Sequence, residues 1–129
     1  MPASPRILLV SPDLMVTSRV AALAREAGGS VETLRSPDQS PSSATYDLVL
    51  LDLQAVPGDA AVIVSQTHAI ISRFDRESSD APVRLVAFGP HVAKQRLDDA
   101  KAAGADAVVS RGELLGSFPA IIRRWCPPA

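Results

Sequence analysis

A single cysteine, Cys126, in a chain of 129 residues excludes an internal disulfide and a cysteine-based metal cluster. Aromatic residues make up only 4%, too few for a stacking platform on single-stranded nucleic acid. Neither sign of charge dominates: 13 basic residues face 14 acidic ones, and a formal charge of −1 leaves no electrostatic footprint for nucleic acid. No apolar run approaches the roughly 20 residues that a membrane helix needs. Residues 1–6 pass straight into a strand-like segment, without the apolar core of a signal peptide. A cytoplasmic protein with neither a membrane nor a nucleic-acid partner is expected. Glycine-rich loops are also missing. No G-x-G-x-x-G follows the first apolar run, nothing matches a Walker loop or a nucleophile elbow, and the Gly28-Gly29 and Gly89-Pro90 pairs do not make a dinucleotide fingerprint.

What is present is a globular composition, with 47% hydrophobic and 21% charged residues. One domain over residues 1–129, with its core over about 6–125, is expected to bury roughly 65–70% of its unfolded surface. Leu48-Val49-Leu50-Leu51 is an uninterrupted apolar run flanked by Asp47 and Asp52, the pattern of a strand buried on both faces of a parallel sheet. Ile7-Leu8-Leu9-Val10, Val83–Phe88 and Ala107-Val108-Val109 read the same way, and Val31–Leu34 alternates as an edge strand does.

Between these runs the period changes. Val16, Val20, Leu23, Ala24 and Ala27 share one helical face, with Asp13 placed as its cap and Gly28-Gly29 as its stop. Ile63, Thr67, Ile70, Ile71 and Phe74 mark another helix after the Pro57-Gly58 turn, with His68 at its surface or boundary. Ala93, Leu97, Ala100 and Ala103 give a third, with Pro90 suited to its first turn and His91 exposed at its start. Leu114 to Trp125 reads as one last amphipathic helix, closed by Pro127-Pro128, and Ser78–Pro82 as a polar connector. The prolines, serines and threonines of Ser36–Thr45 disfavour a full helix there. The alternation predicts a flavodoxin-like doubly wound α/β fold. Its five-stranded parallel sheet has the order 2-1-3-4-5, with the second helix short or absent. In such sheets, chemistry collects at the carboxyl ends of the strands, where Asp52 falls.

Tyr46–Asp52 and Gly104–Val109, in this layout, resemble the receiver domain of bacterial response regulators, over about Arg6 to Arg124. The resemblance implies that Asp52 stands where a phosphoryl group is accepted from a histidine kinase in a two-component phosphorelay. In that family two acids ending the first strand hold Mg²⁺, a Thr or Ser ends the fourth strand, and a Lys ends the fifth. Here those positions carry Ser11-Pro12, Phe88 and Arg111, with Asp13 the only acid beside the first strand. Gly89 and Gly112 flank the altered positions, and Pro57 lies one residue further from Asp52 than the family's turn would place it. The family's aromatic on the fifth strand is replaced by Val108. Mg²⁺ binds through carboxylates together with phosphate oxygens, so this pocket reads as that of a degenerate, or pseudo-, receiver.

The expected function is therefore a stand-alone receiver-like signalling module, not an enzyme. It acts by protein–protein interaction, independently of phosphorylation and without a cofactor or metal. Asp52 is then a strand-end carboxylate satisfied by Arg111 or by backbone N–H groups of the next turn, Asp13 an N-cap, and Phe88 the filler of the emptied site. The chain ends at its last helix, so output is expected through a partner or a homodimer. The helix over 90–103, the fifth strand and the last helix form the expected face, with Arg123, Arg124 and Trp125 as interface residue types. Two alternatives stand beside it. One is a phosphorylatable receiver with Asp52 as acceptor and Mg²⁺ held by Asp13, Asp52 and backbone. The other is a small-ligand domain at the carboxyl edge of the sheet.

Overall fold

The computed structural model describes residues 4–43, 45–74 and 82–126. Five parallel strands form one sheet in the order β2-β1-β3-β4-β5: β1 (Arg6–Val10), β2 (Ser30–Leu34), β3 (Leu48–Asp52), β4 (Arg84–Gly89) and β5 (Ala107–Ser110). The helices are α1 (Leu14–Glu26), α2 (Ala60–Ile71), α3 (Lys94–Ala102), α4 (Arg111–Gly116) and α5 (Phe118–Trp125). No helix of the described residues is long and apolar enough to cross a membrane.

Because successive side chains of a strand point to opposite faces, the apolar runs build two cores at once. Leu8, Val10, Val49, Leu51, Leu85 and Ala87 pack on one face with Ile63, Val64 and Ile70 of α2 and Ala100 of α3. Ile7, Leu9, Leu48, Leu50, Val86 and Phe88 pack on the other with Val16 and Val20 of α1 and Phe118 and Ile122 of α5. Every residue of β3 is buried, as a central strand with both faces covered requires.

Local chemistry sets the helix ends. Asp13 caps α1 through its Oδ1, which accepts the N–H groups of Met15 (2.9 Å) and Val16 (3.3 Å). Asp59 caps α2 in the same way. After α1 the two glycines have separate reasons. Gly28 has φ of 80°, the left-handed conformation that ends a helix, while a Cβ on Gly29 would lie 2.4 Å from the Pro5 carbonyl oxygen.

Three expectations are corrected. The third helix starts at Lys94 and not at Pro90: Ala93 N–H closes a tight turn onto the Pro90 carbonyl, and His91 lies in that turn. The last helix is two, because Ser117 (φ −128°) interrupts it between Gly116 and Phe118. Ser110 caps the first of them by accepting Glu113 N–H, which pulls its start back to Arg111. The segment after β2 holds no helix among its described residues, as its prolines imply. Residues 78–81 of the expected connector and the closing Pro127-Pro128 lie outside the described residues.

Candidate functional site at the switch point of the sheet

In this strand order the direction of winding reverses between β1 and β3, and a crevice opens at the carboxyl ends of those strands. Ser11 follows β1 and Asp52 ends β3, so both stand at that crevice. Asp52 is only 2% exposed. Its Oδ2 accepts the Ser11 hydroxyl at 2.8 Å. Its Oδ1 accepts the backbone N–H groups of Gln54 (3.0 Å) and Ala55 (3.1 Å). A buried carboxylate is tolerated when hydrogen bonds replace its lost water. These three do so, and no buried side-chain polar atom among the described residues lacks a partner.

Phe88 completes the row. It stands opposite Asp52 in the β3–β4 register and is fully buried. Side chains at paired positions of neighbouring strands project from the same face, so its ring lies beside the carboxylate on the α1 and α5 side. Asp13 has Oδ1 committed to the α1 cap, and its own N–H donates to Ser11 Oγ at 3.1 Å. Pro12 contributes no donor or acceptor side chain.

Of the two partners expected for Asp52, the backbone N–H groups of the next turn are the ones found, and Arg111 is not. Its Nη1 donates to the Gln54 side-chain oxygen at 3.2 Å and not to Asp52. The start of α4 at Arg111 ends the strand geometry that would carry this side chain straight over the carboxylate. The partner that sequence reasoning missed is Ser11, noted only as the absence of an acid. The spacing between the end of one apolar strand and the next held the signal, because paired strands align their ends.

Arg96 was missed too, with no signal in a helix of mixed polar residues. Its Nε, Nη1 and Nη2 donate to the carbonyls of Leu53 (2.6 Å), Gly58 (2.6 Å) and Val56 (2.9 Å), fastening to α3 the loop that supplies Asp52's backbone donors. Gly89 lies beside this loop, where a Cβ would be 3.7 Å from Leu53 Cβ. A cleft of about 220 Å³ opens there between Leu53, Gly89, Pro90, Ala93 and Leu97. No group of three or more His, Cys, Asp or Glu side chains able to hold a metal occurs among the described residues. His68 bonds instead to the Gly104 carbonyl at 3.0 Å, and Cys126 is buried, its thiol pushed up to about 11 by burial.

Far from the crevice, Arg123 and Arg124 are exposed, and the Arg124 guanidinium lies 5.2 Å from the ring centre of half-buried Trp125. These residues and the Asp52 crevice are separate regions.

No protein-family model matches the sequence, and no curated protein sequence matches it. Solved structures do. The chemotaxis response regulator CheY4 of Vibrio cholerae superposes with a TM-score of 0.71 at 14% identity, over 94% of this chain and 98% of that one. A response regulator receiver protein from Burkholderia phymatum gives 0.66 at 23% identity, over 97% and 100%. The receiver domain of a Pseudomonas aeruginosa sensor histidine kinase, with magnesium coordinated in its active-site cleft, gives 0.67 at 18%, over 95% and 98%. This is the receiver fold. Within the receiver fold, Asp52 holds the carboxyl end of the third strand, and the neighbours that meet it there are Ser11 and Phe88.

Proposed function

We propose that this chain is a receiver-fold signalling module that works by contact with another protein chain and performs no phosphoryl transfer of its own. The observation that carries the reading is the state of Asp52: one oxygen holds the Ser11 hydroxyl, the other holds two backbone N–H groups, and Phe88 stands beside it. A phosphoryl acceptor needs a free oxygen and a metal to neutralise the transferring group. Mg²⁺ favours near-octahedral oxygen ligation with one or two carboxylates. Ser11, Pro12 and the capping Asp13 fit that demand poorly, since one gives its proton to Asp52, one has no ligand atom and one is engaged with α1. Output then belongs to the α3–β5–α5 face, where Arg124 and Trp125 stand beside β5.

The test is treatment of the full chain with acetyl phosphate, and separately with beryllofluoride, each with Mg²⁺. Intact mass and backbone NMR spectra are expected to be the same with and without treatment. A mass gain or spectral change that disappears in Asp52→Asn overturns the proposal in favour of a phosphorylated receiver.

A further inference from the structure

The cleft beside the Asp52 loop has no role in contact with a partner at the α3–β5–α5 face. Its walls are the loop that follows β3 and the start of α3, and Leu53, Gly89, Ala93 and Leu97 give it an apolar lining. Arg96 and Gln54 also line it, and their polar ends are engaged. The three guanidinium nitrogens of Arg96 donate to the carbonyls of Leu53, Gly58 and Val56. The Gln54 side-chain oxygen accepts Arg111. Because Arg96 belongs to α3 and its bonds end on the loop, it ties the two walls together. The cleft is therefore formed before anything enters it, as small-molecule sites usually are.

Local structure keeps this space open. The Pro90–Ala93 turn delays α3 to Lys94, so small residues of a turn stand at the wall. Gly89 has no conformational reason to be glycine, since its φ is not positive. Packing does not demand one either. A Cβ there would lie 3.6 Å from Leu97 Cδ2 and 3.7 Å from Leu53 Cβ, both ordinary contact distances. What the glycine does is leave the gap between the two leucines unfilled.

We propose that this cleft binds a neutral, apolar small molecule of one or two rings. An apolar cavity of about 150 Å³ holds benzene. This cleft offers about 220 Å³, which bounds the ligand to a ring or a fused pair. A charged ligand is disfavoured because Arg96, the one charged side chain at the wall, already has each nitrogen on a carbonyl. An ion would lose water there without gaining a partner. The ligand would rest on Leu53 and beside Gln54, whose backbone N–H is one of the two donors to Asp52 Oδ1. The ligand site and the closed carboxylate thus share one loop.

Titration of the full chain with indole, followed by backbone and methyl NMR, tests it. Saturable shifts are expected at Leu53, Gly89, Ala93 and Leu97, with slower amide exchange at Gln54. Ala93→Leu, which fills the cleft from its half-buried wall, is expected to weaken binding about tenfold, and Gly89→Ala about threefold. Thermal melts establish that the variants are folded. Gly89→Ala is expected to melt no lower than the parent, as a glycine of ordinary φ allows, so it decides the matter should Ala93→Leu fail to fold. Indole-3-carboxylate, the same rings with a charge, is expected to bind about tenfold more weakly. An absence of saturable shifts overturns the proposal. So do shifts centred elsewhere, binding that neither filled variant weakens, or a carboxylate that binds as tightly as indole. Acetyl phosphate treatment reports on Asp52 and indole on the cleft, so either proposal can fail without the other.

Discussion

Two carboxylates in this molecule gather nearly the same set of hydrogen bonds and do different work. Asp52 accepts one hydroxyl and two backbone N–H groups. Glu32 accepts two hydroxyls and one backbone N–H. Asp52 is sealed at the end of a fully buried strand beside Phe88. Glu32 lies on an edge strand, where its bonds tie down the loop that follows β2 and hold Tyr46 against Phe74, ring centres 5.0 Å apart. The same chemistry closes a pocket in one place and covers a core in the other. Burial decides which, because water can replace a lost partner only at the edge.

The sharpest way to break that comparison is to delete both carboxylates. Asp52→Ala leaves the Ser11 hydroxyl and two N–H groups buried without an acceptor. It is expected to cost about 3 kcal/mol in urea unfolding, against about 1 kcal/mol for Glu32→Ala. Equal costs would mean that water reaches Asp52 as easily as Glu32.

A smaller effect is expected one layer out. Arg96→Ala removes three charged donors from the loop behind Asp52 at a partly exposed site, a loss of about 2 kcal/mol. Arg96→Lys should recover only part of it, since an ammonium lacks the planar fork that spans three carbonyls. Amide hydrogen exchange at Gln54 and Ala55 is expected to quicken in both variants.

The smallest effect is in pH dependence, and it belongs to Glu32. Burial pushes this carboxyl up, but the bonds from Ser42 and Tyr46 outweigh it and hold the group below its ordinary value. Its stabilisation is therefore complete above the unfolded value and is lost as pH falls through the folded one. Tyr46 has the opposite sign: burial and the neighbouring Glu32 raise it. Its contribution is present below the unfolded value, near 10, and is lost as pH rises through the folded one. Urea titrations are expected to show a shallower acid limb in Glu32→Gln and a shallower alkaline limb in Tyr46→Phe.

The fold was more legible in the sequence than the site. Leu48–Leu51 and Ile7–Val10 announce strands covered on both faces, and Asp13 and Gly28 bracket α1 with familiar chemistry. These signals are local, and each depends on residues within a few positions. The break at Ser117 was hidden because Leu114, Leu115, Phe118 and Ile121 keep a helical period across it, while the cap at Ser110 that fixes the first of the two helices is a matter of a single hydroxyl. Arg111 stood beside the backbone N–H groups of the next turn as an expected partner of Asp52 because a resemblance aligns the two positions, and only the backbone groups are found there. The helix that starts at Arg111 turns it to Gln54.

From its sequence alone the chain determines five parallel strands, their order, two apolar faces and an acid at the end of the third strand. Hydrophobic periodicity and short connections suffice for that. Only the tertiary structure decides what the acid meets. Ser11 lies 41 residues from Asp52 along the chain, and Arg96 lies 43 from Leu53. Such pairs come together because the parallel register aligns strand ends and α3 docks beside them. A hydrogen bond needs placement to within a fraction of an ångström, and no local pattern encodes that.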